Sequence, residues 1–148
     1  MPTTSLPIQT LSIHRHCMQQ LLHEAISGGK HCCQGLLAGG GNMIEKRLAV
    51  TESSYSDNPC IPDFLNSSPF FGVYISTHEA CSDDSARVHK LCELVRKHHR
   101  SNPVCYLLLE FGHKGRVDAL LFADAEFSTP ITLNLQEDGG LYPAIVNR

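Results

Sequence analysis

The sequence lacks the features that mark membrane, secreted and nucleic-acid-binding proteins. It contains no run of about eighteen apolar residues, the length that a membrane-spanning helix needs. Its N-terminus has no basic segment followed by an apolar stretch, which a secretory leader would show. A net charge of -3 and a pI near 6.3 leave no excess of positive charge for a nucleic acid. We therefore expect a soluble, cytoplasmic protein that binds neither membranes nor nucleic acids.

Metal-binding cysteine pairs are also missing, although the chain is rich in residues that bind metals. Seven cysteines and nine histidines occur among 148 residues, but no C-x-x-C pair is present. The spacings therefore do not predict a zinc finger or a zinc ribbon. The odd number of cysteines and the expected reducing compartment argue against a disulfide framework. We expect most of the cysteines to be thiols that serve as small core residues.

The length and composition fit one globular domain that spans residues 1–148. A hydrophobic content of 42% is enough for a sizeable core. Apolar residues at intervals of three and four predict a first helix that Ser12 caps and Gly28 ends, with Glu24 facing solvent. Residues 32–38 and 43–50 are predicted to form a hairpin around three consecutive glycines.

The second half of the chain is predicted to contain one helix among several apolar strands. Residues 53–69 are rich in Ser, Asn, Asp and Pro and are predicted to form a long functional loop. A buried strand at 70–76 precedes a helix from Asp83 or Asp84 to His99, which has acids at its start and bases at its end. Strands are predicted at 105–111, 117–123 and 131–135. The predicted fold is α+β, with a curved, mostly antiparallel but mixed sheet flanked by helices.

The order of these elements and two short motifs resemble the JAB/MPN (JAMM) domain family across most of the chain. The motifs are CCQGLLAG at 32–39 and FFGVYIST at 70–77, and a strand CYLLLEF follows at 105–111. In that family the first motif reads E-x-C-G-L-L-x-G, and the second reads G-x-x-H-S-H-P with S-x-x-D a few residues later. The G-L-L-x-G portion is retained from Gly35 to Gly39. The resemblance implies the JAB/MPN, cytidine deaminase-like architecture.

The resemblance also implies where a metal site would lie. Active members of the family hydrolyse isopeptide or peptide bonds with a zinc held by two His and one Asp, an activated water and a Glu that moves protons. On the family pattern Cys32 takes the place of the Glu, Ile75 and Thr77 take those of the two His, and Ser85 takes that of the Asp. We call these four residues the motif positions. Because none of them is the residue that the family uses, the zinc site is expected to be degenerate.

Three residues near the motif positions leave enzymatic alternatives open. His78 and Asp84 could contribute to an altered JAMM-type metallopeptidase that acts on ubiquitin-like or sulfur-carrier conjugates, and only then would zinc be the cofactor. A noncanonical metal site could also combine these two residues with Cys32 and Cys81. In a second alternative, Cys32 or Cys81 pairs with His78 in a cysteine hydrolase.

The interpretation that the sequence favours is a noncatalytic protein-binding or scaffold domain, a pseudoenzyme without a cofactor. The family resemblance implies a ubiquitin-like protein, a sulfur-carrier protein or a second copy of the chain as the partner. The surface beside residues 53–69 and the strand that begins at Phe70 and Phe71 is the predicted binding face.

Overall fold

The computed structural model describes residues 10–27, 32–50, 60–77, 84–98, 102–111 and 116–136. Within these ranges the chain forms seven strands and three helices. In chain order they are β1 (Thr10–His14), α1 (Arg15–Ser27), β2 (Gln34–Gly40), β3 (Met43–Ala49), α2 (Cys60–Ser67), β4 (Phe70–Thr77), α3 (Asp84–His98), β5 (Cys105–Phe111), β6 (Val117–Phe122) and β7 (Pro130–Gln136). None of the described helices has the length and apolar character needed to cross a bilayer.

The strands form one curved, mixed sheet in the order β1-β3-β2-β4-β5-β6-β7. Four neighbouring pairs are antiparallel, namely β2 with β3, β2 with β4, β5 with β6, and β6 with β7. Three pairs are parallel, namely β1 with β3, β1 with β7, and β4 with β5. Because β1 pairs with both β3 and β7, the sheet closes on itself. The α+β class and the mixed sheet predicted from the sequence are confirmed.

Two apolar cores lie on opposite faces of this sheet. The first core, which we call the α1 core, contains Leu21 and Ala25 of the helix together with Leu37 and Tyr74 of the sheet. The second, the α3 core, contains Leu91 and Val95 of α3 and Ile61 of α2, packed on Val73 and Ile75 of β4. Successive residues of a strand point to opposite faces, so Tyr74 and Ile75 belong to different cores.

Helix α3 and the β2–β3 hairpin form as their sequences predict. Asp84 begins α3, and Arg96, Lys97 and His98 lie in its last turn, as the helix dipole favours. The hairpin turns at Gly41, whose φ of 61° is a left-handed conformation that glycine adopts without strain.

Two details of the sequence-based fold are wrong. Residues 10–14 form a strand and not the start of the first helix, because Leu11 and Ile13 alternate with the more exposed Thr10, Ser12 and His14 and pair with two neighbouring strands. Part of the predicted loop is helix α2, in which Ile61 and Leu65 form one buried stripe.

Phe70 and Phe71 begin the strand next to the predicted binding face. Phe70 and Phe71 are buried in the α3 core and the α1 core, respectively. The buried strand predicted from residue 70 onward is therefore confirmed. The binding face predicted beside this strand and residues 53–69, of which 53–59 lie outside the described residues, stays a prediction.

Candidate functional site

The motif positions meet where β2 begins, β4 ends and α3 begins. The antiparallel register places Gln34 opposite Ile75, so that Cys32 and Cys33, which precede β2, lie near the last residues of β4. The backbone of Ser76 donates to the carbonyl oxygen of Cys33 at 2.8 Å and continues this pairing beyond the strand. The fold thus brings together the segments that the family pattern joins around a metal.

The side chains at the motif positions differ from a zinc ligand set. Ile75 is fully buried in the α3 core and has no donor atom to offer a metal. Thr77 is half-buried at the end of β4, and Ser85 is half-buried in the first turn of α3, next to Asp84. His78 and Cys81 lie outside the described residues.

Cys32 is disulfide-bonded, whereas Cys17, Cys33, Cys60, Cys92 and Cys105 are free thiols. The expectation of thiols that serve as small core residues is correct for the buried Cys17, Cys92 and Cys105, whereas Cys33 is only half-buried, Cys60 is exposed and Cys32 is not a thiol. A sulfur in a disulfide carries no thiolate, so Cys32 in this state is not the nucleophile of the cysteine-hydrolase alternative. The same alternative built on Cys81 and His78 remains a prediction.

Arg87, which projects from α3 into this junction, is the main feature of the site that the sequence-based prediction missed. Its side chain is almost fully buried, with 4% of its surface exposed. It donates through Nη1 to the carbonyl oxygen of Ser76 at 2.7 Å and through Nη2 to that of Cys33 at 2.9 Å. It also donates through Nε to Oε1 of Gln34 at 3.3 Å, and Nη1 lies 3.5 Å from Oδ1 of Asp84. The guanidinium therefore links α3 to both β2 and β4.

The sequence does contain a signal for Arg87. The residue lies on the apolar stripe of α3 with Leu91, Leu94 and Val95, at the helical spacing of four, seven and eight residues. A cation in such a stripe is rarely buried unless it is paired. Its acceptors could not be named from the sequence because two of them are backbone carbonyls in segments that are distant from α3 or from each other along the chain, at Cys33 and Ser76.

The residues at this junction do not fit the zinc site that the family pattern implies. A catalytic zinc needs three protein ligands, usually His, Cys thiolate or carboxylate. Ile75 supplies no ligand, Cys32 supplies no thiolate, and Arg87 brings a positive charge between the segments that would carry the ligands. In the part of the chain that the structure describes, no three His, Cys, Asp or Glu side chains are grouped to hold a metal.

A second polar cluster lies behind the same junction, on the α1 side of the sheet. The hydroxyl of Tyr74 donates to Oε1 of Glu24 at 2.7 Å, and Nη1 of Arg47 lies 2.9 Å from the same oxygen. Cys33 donates through Sγ to the backbone carbonyl of Glu24 at 3.2 Å. The prediction that Glu24 faces solvent is wrong, because it is the partly buried acceptor that ties α1 to β3 and β4.

Tyr74 and Cys33 of this second cluster stay protonated at neutral pH. Burial, together with the adjacent Glu24 carboxylate, raises the pKa of Tyr74 well above its usual value. Burial and then the same carboxylate also raise the pKa of the Cys33 thiol. Neither group is therefore a general base or a nucleophile near pH 7. The cluster is suited to holding α1 against the sheet.

Two shallow grooves lie along the exposed side of α3. One, of about 180 Å³, is lined by His89, Cys92, Glu93, Arg96, Tyr106 and Ala125. The other, of about 110 Å³, is lined by Lys90, Glu93, Leu94 and Lys97. Glu93 lines both grooves and is itself exposed.

Several solved structures are similar to this chain in fold. A JAB1/MPN domain protein from Archaeoglobus fulgidus aligns with a TM-score of 0.55 and 13% identity, over 84% of this chain and 98% of its own. A structure described as JAMM, a metalloprotease-like zinc site in the proteasome and signalosome, aligns with a TM-score of 0.52 and 10% identity, over 87% of this chain and 100% of its own. The solution structure of a protein from Desulfitobacterium hafniense aligns with a TM-score of 0.55 and 15% identity, over 86% of this chain and 94% of its own.

No protein-family profile and no curated protein matches the sequence. At sequence identities of 10% to 15%, the solved structures show a similarity of fold alone.

Proposed function

We propose that this chain, which has the JAB/MPN-like fold, is a noncatalytic protein-binding domain that keeps the scaffold of a zinc metallopeptidase without its metal chemistry. The observation that carries the proposal is the fully buried Ile75 at the motif position where the family pattern has the first of its two zinc-binding His. An isoleucine packed in the α3 core can neither bind a metal nor move a proton.

The other motif positions also carry residues that the hydrolytic machinery of the family does not use. Hydrolysis needs a metal to lower the pKa of a bound water and a carboxylate to pass its proton to the leaving amine. Cys32, at the position of the family's Glu, is disulfide-bonded and supplies no carboxylate. Thr77 and Ser85 carry hydroxyls at the remaining motif positions, and a hydroxyl is not a usual zinc ligand.

The proposed partner is a small ubiquitin-like protein or a sulfur-carrier protein. The basis is the family resemblance, because active members act on conjugates of such proteins. A domain that has lost the cleavage chemistry can keep the surface that binds the protein part of the conjugate. Homodimerisation is the other use of the fold that the resemblance implies.

Metal content and cleavage test the noncatalytic part of the proposal. The protein is purified without a chelator or a metal-affinity tag, its zinc is measured by mass spectrometry, and an isopeptide-linked ubiquitin-like conjugate is incubated with it. We expect far less than one zinc per chain, no cleavage, and a melting temperature that a chelator does not change. Near-stoichiometric zinc with chelator-sensitive cleavage would show instead that the chain is an altered metallopeptidase.

Titration calorimetry tests the binding part. Purified ubiquitin-like and sulfur-carrier proteins are titrated into the full chain, and mass spectrometry checks that both proteins remain intact. Glu93→Lys is a suitable first surface variant, because it reverses an exposed charge that borders both α3 grooves. Saturable binding without cleavage supports the proposal. No binding to either class of protein, with the chain folded, contradicts it.

A further inference from the structure

The buried guanidinium of Arg87 lies in a cage of oxygen atoms at the junction of three elements. Its three nitrogens face the carbonyl oxygens of Cys33 and Ser76, the side-chain oxygen of Gln34 and a carboxylate oxygen of Asp84. We propose that this cage is a cation site built for a guanidinium, and that Arg87 is a tethered cation which takes over the cross-linking role that a metal has in the family. The inference deepens the proposed function, since it concerns the same site and rests on that function.

The positions of the acceptors support this assignment. Cys33 is next to Cys32, Ser76 lies between Ile75 and Thr77, and Asp84 is next to Ser85. Each motif position is therefore next in the sequence to a residue whose oxygen atom contacts the guanidinium of Arg87. The guanidinium joins the segments before β2, at the end of β4 and at the start of α3, which are the segments that the family pattern joins through its metal and its Glu.

The acceptor atoms of the cage suit a guanidinium better than zinc or a lysine ammonium. Among the described residues, four oxygens accept from Arg87, and one of these oxygens belongs to a carboxylate. Zinc in proteins is held largely by His nitrogen and Cys sulfur, usually with more negative charge around it. A planar guanidinium carries a single charge that is spread over several N–H donors in a fixed fork. Here Nε and Nη2 donate to Gln34 and the adjacent Cys33, whereas Nη1 faces Ser76 of β4 and Asp84 of α3. A lysine ammonium is a point charge and cannot span the same acceptors.

Removing the guanidinium should leave a cavity that a free guanidinium ion can fill. In Arg87→Ala the oxygens of Cys33, Ser76 and Gln34 each lose one donor, although the Cys33 carbonyl keeps the backbone N–H of Ser76, and the loss of buried hydrogen bonds destabilises the fold. We expect the melting temperature to fall by about 10 °C, since breaking a buried ionic network costs several kcal/mol in a chain of this size. Arg87→Lys is expected to lose nearly as much, although it keeps the charge.

The test is chemical rescue of Arg87→Ala, followed by the melting temperature. Millimolar guanidinium chloride is compared with sodium chloride at equal ionic strength and with zinc chloride, and Arg96→Ala serves as the control for an exposed arginine on the same helix. We expect guanidinium to raise the melting temperature of Arg87→Ala in a saturable manner, and not that of the wild-type chain or Arg96→Ala. Rescue by zinc in preference to guanidinium, or no rescue by guanidinium, overturns the proposal.

A measurement on the wild-type chain keeps the proposal testable if Arg87→Ala does not fold. The Nη groups of a caged guanidinium rotate slowly, so we expect them to give separate signals in the nitrogen-15 NMR spectrum. We also expect the spectra to show that these groups lie close to the side chain of Gln34. An Arg87 guanidinium that rotates and exchanges as freely as that of the exposed Arg96 would refute the cage. Failure of the cage would leave the proposed function standing, because that function is judged by zinc content, cleavage and binding in the wild-type chain.

Discussion

Ile75 and Tyr74 are neighbours in β4, yet they limit substitution in different ways because they face different cores. Ile75 packs among apolar side chains of the α3 core and makes no polar contact that the site would use. Tyr74 is equally buried, but its hydroxyl reaches Glu24 at the edge of the α1 core. At the end of β4, neighbouring residues therefore differ in whether their side chains can make polar contacts.

The substitution Ile75→His should fail to create a metal site. It places one imidazole in an apolar core without two further ligands, so we expect a loss of about 3 kcal/mol in the free energy of unfolding. The matched control Ile75→Val removes one methyl group and should lose only about 1 kcal/mol. Urea unfolding with and without zinc measures both values. Stabilisation of Ile75→His by zinc would show that an intact ligand set surrounds this position.

The raised pKa values of two buried thiols predict that the folded chain loses stability at alkaline pH. Burial raises the pKa of Cys105 to about 12 and that of Cys17 to about 11, against 9.0 for an exposed thiol. Below pH 9 both thiols are protonated whether the chain is folded or unfolded, so their contribution to stability is fully present. Above pH 9 the unfolded chain releases these protons while the folded chain keeps them, and each thiol then lowers the free energy of unfolding by up to about 1.4 kcal/mol per pH unit.

Urea unfolding between pH 8 and 11 tests this dependence. Cys105→Ala should be less stable at pH 8, because it leaves a cavity, but its stability should fall less steeply as the pH rises. Cys60→Ala, at an exposed cysteine, should follow the wild-type curve. Equal slopes for wild type and Cys105→Ala would show that this thiol does not contribute.

At the scale of elements, the glycines of the two family motifs position the strands. A side chain on Gly35 would collide with the carbonyl oxygen of Leu48 and the ring of Tyr74, and one on Gly39 would collide with the carbonyl oxygen of Met43. A side chain on Gly72 would collide with the carbonyl oxygen of Cys105, across the parallel β4–β5 pair. The glycines that this chain shares with the family motifs are therefore positions at which the sheet leaves no room for a side chain.

Gly72→Ala should therefore separate β4 from β5. Because the added methyl group meets a backbone atom, which cannot rotate away, we expect a loss of at least about 2 kcal/mol in the free energy of unfolding. Gly40→Ala is the matched control, since a side chain there meets nothing within 4 Å. Chemical denaturation of the two variants measures the difference. Equal stabilities would mean that the two strands pack less closely than the structure shows.

The sequence predicts those parts of the fold that local patterns determine. The hairpin, α3 and the β5–β6 pair follow from glycines, helix termini and apolar runs, and they form as expected. Strand β1 was missed because residues 10–14 are too few to establish a period of two, and its pairing depends on partners far along the chain. That Ile75 and Thr77 are not the usual metal-binding residues can be seen in the sequence directly. The cage of Arg87 could not be predicted, because two of its acceptors are backbone oxygens that only the tertiary structure brings together.

At the scale of the whole molecule, the disulfide at Cys32 makes stability depend on the redox environment. A disulfide commonly contributes about 2–4 kcal/mol by restricting the unfolded chain. A thiol reductant should therefore lower the melting temperature of the wild-type protein, while Cys32→Ser should be less stable and unaffected by the reductant. Calorimetry with and without reductant checks this, and non-reducing peptide mapping identifies the cysteine bonded to Cys32. An unchanged wild-type melting temperature after complete reduction would mean that the bond does not stabilise the fold.

The closure of the sheet through β1 has a consequence for how the chain folds. Strand β1 pairs along its whole length with β7, so residues at the two ends of the described chain must meet before the sheet is complete. Contacts between such distant residues slow folding, because a long loop must close before the contacts can stabilise it. On the ribosome, β1 is made first but can complete its pairing only after residues 130–136 have emerged. Until then its edge toward β7 is unpaired, and the nascent chain is most exposed to association with other chains.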